Sequence, residues 1–108
     1  MNKPEFNRYL YGELAKKENF DNWHGIRSEN LKEHLVDPYP VTVFAHEDGS
    51  DPEEMWIVLY EYPGEEKSFL IGYCPTSEEW CLIEKLGDGR YLCDTVGDGS
   101  LAEALSNM

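Results

Sequence analysis

The sequence predicts an α+β domain: N-terminal helices, a five-stranded, mainly antiparallel meander sheet, and a short C-terminal helix packed on it. Three observations carry this reading. Before residue 36, apolar residues recur at helical spacings of three and four. From Pro40 to Val96 they fall instead in short β-branched and aromatic runs separated by Gly, Pro and Asp. The connections between those runs are too short for parallel crossovers, so neighbouring strands run antiparallel. At 108 residues the chain is one domain, helical over 1–36, sheet over 40–96 and helical again over 100–107.

The first helix is expected over 4–18. Phe6, Tyr9, Leu10 and Leu14, with Tyr11 at the edge, form its stripe, and Pro4 suits a first turn. Asn19-Phe20-Asp21-Asn22 breaks it. A second helix from about Ser28 to Val36 has Asn30 and Glu33 in capping-box spacing and Ile26, Leu31, His34 and Leu35 as its stripe. Asp37-Pro38-Tyr39-Pro40 ends it, because a proline disfavours helical geometry in the residue before it.

The strands are expected over 41–46, 55–62, 68–73, 80–85 and 90–96. The loop 48–52, the turns 63–66 and 75–78, and Gly87-Asp88-Gly89 join them, the last glycines supplying positive φ. Ser100 to Glu103 has capping-box spacing and opens the final helix. Strand 55–62 is apolar on both faces. Strict alternation sets Trp56, Val58, Tyr60 and Tyr62 against Met55, Ile57 and Leu59. A single helical layer covers one face only, so either the sheet is strongly curled or an aromatic face is a docking surface.

Charge is unevenly placed. The chain holds 22 acidic and 9 basic residues, for a net charge of −13. Residues 1–34 are neutral, with six of each sign; residues 35–108 hold sixteen acids against Lys67, Lys85 and Arg90. Such a surface lacks the basic footprint that nucleic acid or an anionic membrane needs, and it steers toward a basic protein. The alternative is that the charge only keeps the protein in solution. No apolar run approaches membrane-span length, and the N-terminus lacks the apolar core of a secretory signal, so the expected location is cytoplasmic.

Motifs for chemistry are absent or explained by structure. Cys74, Cys81 and Cys93 form no C-x-x-C pair and read as reduced, partly buried thiols acting as small hydrophobes. Gly87-Asp88-Gly89 and Gly97-Asp98-Gly99 lack both the span of a dinucleotide fingerprint and the Lys of a P-loop. Asp48, Asp51, Glu53 and Glu54 lack the ligand offsets of a calcium loop. His24, His34 and His46 have no paired-ligand spacing, and there is no G-x-S-x-G elbow. These features predict a non-enzymatic protein without a metal or cofactor.

One pattern remains: acids interleaved with large aromatics. Glu53, Glu54 and Trp56 form one group; Tyr60, Glu61, Tyr62, Glu65 and Glu66 another; Glu78, Glu79 and Trp80 a third. Buried aromatics supply interface energy and charged rims set on-rate and specificity. Asp48, Asp51, Glu53, Glu54, Glu65, Glu66, Glu78 and Glu79 are the expected steering charges, with Trp56, Tyr62 and Trp80 as anchors. The competing reading makes the aromatics core and the acids a solvated face.

The last 55 or so residues resemble small bacterial immunity proteins of polymorphic-toxin and contact-dependent inhibition systems. The likeness lies in the strand Trp56 to Tyr62, Phe69-Leu70-Ile71-Gly72-Tyr73, Glu79-Trp80-Cys81-Leu82, the Asp88-Gly89 hairpin and the helix from Leu101 to Met108. Residues 1–34 take no part in the resemblance. It implies a short acidic α+β protein that binds and blocks a cognate toxin. A nuclease toxin fits the charge, because its active site is basic. Two other readings stand beside it: a regulatory protein or DNA mimic, and a domain or small enzyme holding a small ligand between sheet and helices.

Overall fold

The chain begins as a helix because its first residues cap one. In the computed structural model, which describes residues 1–16, 25–27 and 29–108, α1 runs Lys3–Ala15. Asn2 Oδ1 accepts from the Glu5 N–H at 2.9 Å and Glu5 Oε1 accepts from the Asn2 N–H at 3.2 Å, a capping box ahead of Pro4. The expected break at 19–22 lies outside the described residues, as does His24.

The second helix is shorter than expected. α2 spans only Leu31–His34, and the chain becomes strand at Leu35. The segment read as helix end and proline turn is the first part of β1, Leu35–Phe44. A bulge between Leu35 and Tyr39 takes up Asp37 and Pro38, which is how the strand tolerates residues that cannot sit in a regular ladder. β1 meets its second neighbour only at Val43 and Phe44, so the prolines lie where only one side of the strand is paired.

The remaining strands are β2 Pro52–Tyr62, β3 Glu65–Cys74, β4 Glu79–Lys85 and β5 Tyr91–Asp98, followed by α3, Leu101–Ser106. The strand count of the sheet is six rather than the expected five, and the five named here are the ones that close into the barrel. α3 starts at Ser100, whose Oγ accepts from the Glu103 N–H at 3.1 Å. Glu103 reaches Gly99 N–H at 3.0 Å, one residue before the expected box partner.

The sheet is mixed and closes into a barrel in the order β1-β2-β3-β4-β5. The four hairpin pairings are antiparallel, and β1 meets β5 in parallel at Val43–Tyr91 and Phe44–Leu92. The reason is parity. Five strands alternating up and down bring the first and last together pointing the same way.

Closure explains the two apolar faces of β2. Met55 and Ile57 point into the barrel with Val43, Leu70, Cys74, Cys81 and Ile83. Trp56, Val58 and Leu59 pack outside with Ile71, Tyr73, Trp80 and Leu82 beneath Phe6 and Leu10 of α1 and Leu101, Ala104 and Leu105 of α3. The β2–β3 register shifts twice, between Ile57 and Leu59 and between Tyr60 and Tyr62. A bulge between Ile57 and Leu59 puts Val58 and Leu59 in the same layer and turns Tyr60 inward. The barrel is tight at Gly72, where a Cβ would lie 2.6 Å from Ile83 Cδ1 and 3.1 Å from the Trp56 carbonyl oxygen. Among the described residues, no helix is long and apolar enough to cross a membrane.

Candidate functional site at the barrel mouth

In a meander, the β1–β2 and β3–β4 connections share one end of the barrel. Two acidic groups distant in sequence therefore meet. Glu47, Asp48, Asp51, Glu53 and Glu54 come from the first connection and the start of β2; Glu78 and Glu79 come from the second. All are exposed except Glu79, which is half-buried. Between them opens a cavity of about 210 Å³, lined by Asp51, Glu53, Glu79 and all three cysteines.

The rim is shaped by local hydrogen bonds. The Ser50 N–H donates to Asp48 Oδ1 at 2.9 Å. Hydrogen bonds from the Ser50 hydroxyl and then its N–H hold the Asp48 carboxyl below the usual carboxylate range. Asp51 and Glu78 have φ of 53° and 56°, the left-handed region that side chains seldom adopt, and both sit on this rim. His46 Nε2 lies 3.7 Å from Asp51 Oδ2. Barrel stagger also brings the β4–β5 turn alongside, where Arg90 donates from Nη1 to the Glu47 carbonyl at 2.7 Å and from Nε to Asp88 Oδ2 at 2.7 Å. Arg90 is thus tied to a carbonyl and to its own turn.

Beneath the rim lie the thiols. Cys74 and Cys81 are buried and Cys93 is half-buried, and none is in a disulfide. Cys74 Sγ donates to Glu53 Oε2 at 3.7 Å. Cys81 Sγ donates to the Glu79 carbonyl at 3.9 Å. Interaction with the Cys81 thiol holds the Cys93 thiol below its usual value against burial and the charges of Asp94 and Glu79, and interaction with Cys93, then burial, pushes the Cys81 thiol up. Among the described residues, no cluster of His, Cys, Asp or Glu is arranged to hold a metal ion.

The other expected site residues go elsewhere. Trp56 and Trp80 are core, not surface anchors. Trp80 is fully buried, and Trp56 stacks on Phe6 with ring centroids 5.1 Å apart. The Trp80 indole N–H has no acceptor among the described residues. The aromatic face of β2 is therefore covered by α1 rather than free for docking. Tyr62 is 47% exposed but sits with Glu65 at the β2–β3 turn, away from the mouth. Glu66 has a structural place, accepting from Tyr91 Oη at 2.7 Å and pairing with Lys85 Nζ at 3.0 Å, next to a Tyr39–Tyr60 hydroxyl bond of 2.8 Å. His34 is buried with Nδ1 3.0 Å from the Tyr60 carbonyl oxygen.

Of the expected steering charges, Asp51, Glu53 and Glu79 line the mouth cavity, Asp48, Glu54 and Glu78 lie at the same end of the barrel, and Glu65 and Glu66 lie elsewhere. The thiol cluster is what sequence reasoning missed. The available signal was hairpin arithmetic: folding β3 back on β4 pairs Cys74 with Glu79 and Gly72 with Cys81, which puts the two cysteines on one face. No protein-family model matches the chain, and neither a curated protein nor a solved structure is found to be similar to it.

Proposed function

We propose that the protein is a non-catalytic acidic binding module whose barrel mouth docks on a basic protein, in the manner of an immunity protein that covers a cognate toxin. A nuclease is the toxin class that suits this charge. One observation supports the reading above the rest: Asp51 and Glu53 from one connection and Glu79 from another line one mouth, while the aromatics that flank them in sequence are withdrawn into the core. The rim supplies long-range attraction and orientation. Occluding a basic active site then needs no chemistry from the acidic partner.

The test is capture from native lysate at low and high salt, using the wild-type protein and an Asp51→Lys, Glu53→Lys, Glu54→Lys variant shown by circular dichroism to be folded. One basic protein should be held by the wild type in near-equal amount and survive high salt. Its association with the variant should be at least about tenfold slower at low salt and less salt-dependent. Equal on-rates for the two proteins would remove the rim from the interface. A mixture of basic proteins that washes off with salt would mean the charge is generic.

A further inference from the structure

The mouth cavity changes character with depth. Its floor is apolar: Val43, Met55, Cys74 and Cys81 all line it and all are buried. Its entrance is acidic: Asp51 and Glu53 are exposed and Glu79 is half-buried. Among the described residues these three carboxylates have no lysine or arginine partner, since Lys3 pairs with Asp37, Lys85 with Glu66 and Arg90 with Asp88. Their contacts are weak ones. Glu53 Oε2 accepts from Cys74 Sγ at 3.7 Å, and Asp51 Oδ2 lies 3.7 Å from His46 Nε2. At about 210 Å³ the space is smaller than the ~300–1,000 Å³ of a drug-sized pocket. It exceeds the ~150 Å³ apolar cavity that takes a benzene ring, so it has room for roughly six to ten non-hydrogen atoms.

We propose that this cavity binds a small free primary amine carrying one ring-sized apolar group, with the ring in the floor and the ammonium at the entrance. The inference does not depend on the docking reading. The order of polarity along the cavity fixes the ligand class. A carboxylate-bearing ligand would bring negative charge to an acidic entrance. A neutral ring would fill the floor and leave the carboxylates unmatched. A lysine side chain of a partner would enter head first and carry its ammonium past the carboxylates into the apolar floor, where an isolated charge is costly. A free amine enters tail first instead. Its ring takes the place of water against the buried wall. Met55, Cys74, Cys81 and Cys93 present sulfur there, and sulfur contacts favour an aromatic ring. The ammonium then keeps its three N–H donors at the entrance, among Asp51, Glu53 and Glu79.

The test is a nuclear magnetic resonance titration of the wild-type protein carrying labelled methionine methyl groups. Three signals result, from Met1, Met55 and Met108. Met55 lines the cavity, Met1 is exposed and Met108 packs on the outer cluster. Benzylammonium at low ionic strength should move the Met55 signal saturably and leave the other two in place. Its Kd should be at least about tenfold lower than those of benzyl alcohol, which has only the ring, and methylammonium, which has only the charge. Added salt should weaken benzylammonium binding and leave that of benzyl alcohol unchanged. Cys93→Leu fills the cavity without changing its charge and should weaken binding at least about tenfold. Glu53→Gln should weaken it too, whereas Glu65→Gln at the β2–β3 turn should not. The absence of a saturable Met55 shift would overturn the site, and so would equal movement of all three signals. Benzyl alcohol binding as tightly as benzylammonium would overturn the part played by the carboxylates. Undiminished binding to a Cys93→Leu variant shown by circular dichroism to be folded would place the ligand outside the cavity and overturn the proposal. The three ligands compared on the wild-type protein decide the matter even where a variant fails to fold.

Discussion

Glu66 shows how one side chain can be drawn two ways. Burial alone would raise its carboxyl, but donors from Tyr91, Lys85 and Tyr39 together outweigh burial and hold it below its usual value of 4.5. A carboxyl lowered in the folded state stabilises the fold above the unfolded value, and that stability is lost as pH falls through the folded value. Tyr91→Phe removes one donor and lets the carboxyl rise, so the acid-unfolding midpoint should move to higher pH. An acid titration followed by circular dichroism checks this, and an unchanged midpoint would uncouple Glu66 from stability. At this scale the sequence was only partly legible. It grouped Glu66 with Tyr60 and Tyr62 as a steering charge, whereas its hydrogen-bond partners are Tyr91, Lys85 and Tyr39. It could not show a pairing with Tyr39 and Tyr91, which lie 27 and 25 residues away along the chain, because pairing at that distance is set by barrel closure.

The helix α1 was legible and β1 only from Val41 onward, for one physical reason. Helical stripes are local, and Phe6, Tyr9 and Leu10 recur as an apolar face must. β1 depends on its partner. Its prolines argue for a turn until β2 supplies a ladder and the bulge removes Asp37 and Pro38 from it. The bulge in β2 is likewise invisible locally, and it overturned the alternation assumed for Leu59 and Tyr60. The weight that α1 carries can be measured. Phe6 is fully buried and stacks on Trp56 with an interplanar angle of 5°. Phe6→Ala should cost about 3–5 kcal/mol in urea unfolding and shift the tryptophan emission to the red as Trp56 gains water. A loss under about 1 kcal/mol would mean that α1 is only loosely docked.

For the whole molecule, the sequence indicated helices, a mostly antiparallel sheet and a curled sheet as one of two ways to bury both faces of β2. Closure chose that option and removed the docking face that was the other. The same closure built the mouth, which no single segment announces. It also gathers much of the −13 charge on a small body, so self-repulsion weakens the fold at low ionic strength. Added sodium chloride should therefore raise the urea midpoint of the wild-type protein, by up to about 1 kcal/mol in stability. A flat or falling midpoint would show that the carboxylates are already compensated.

The incomplete seam of the barrel has a further consequence. Because β5 joins β1 only at Val43 and Phe44, the stretch from Leu35 to Thr42 keeps one flank without a neighbouring strand among the described residues. Such a flank is an invitation for another chain to add a strand, and then another. Here that stretch carries Asp37, Pro38 and Pro40. The prolines have no N–H to give an incoming strand, and the carboxylate would have to be stripped of water to admit one. The residues that look like helix stops in the sequence are, on this edge, ones that disfavour the addition of another strand.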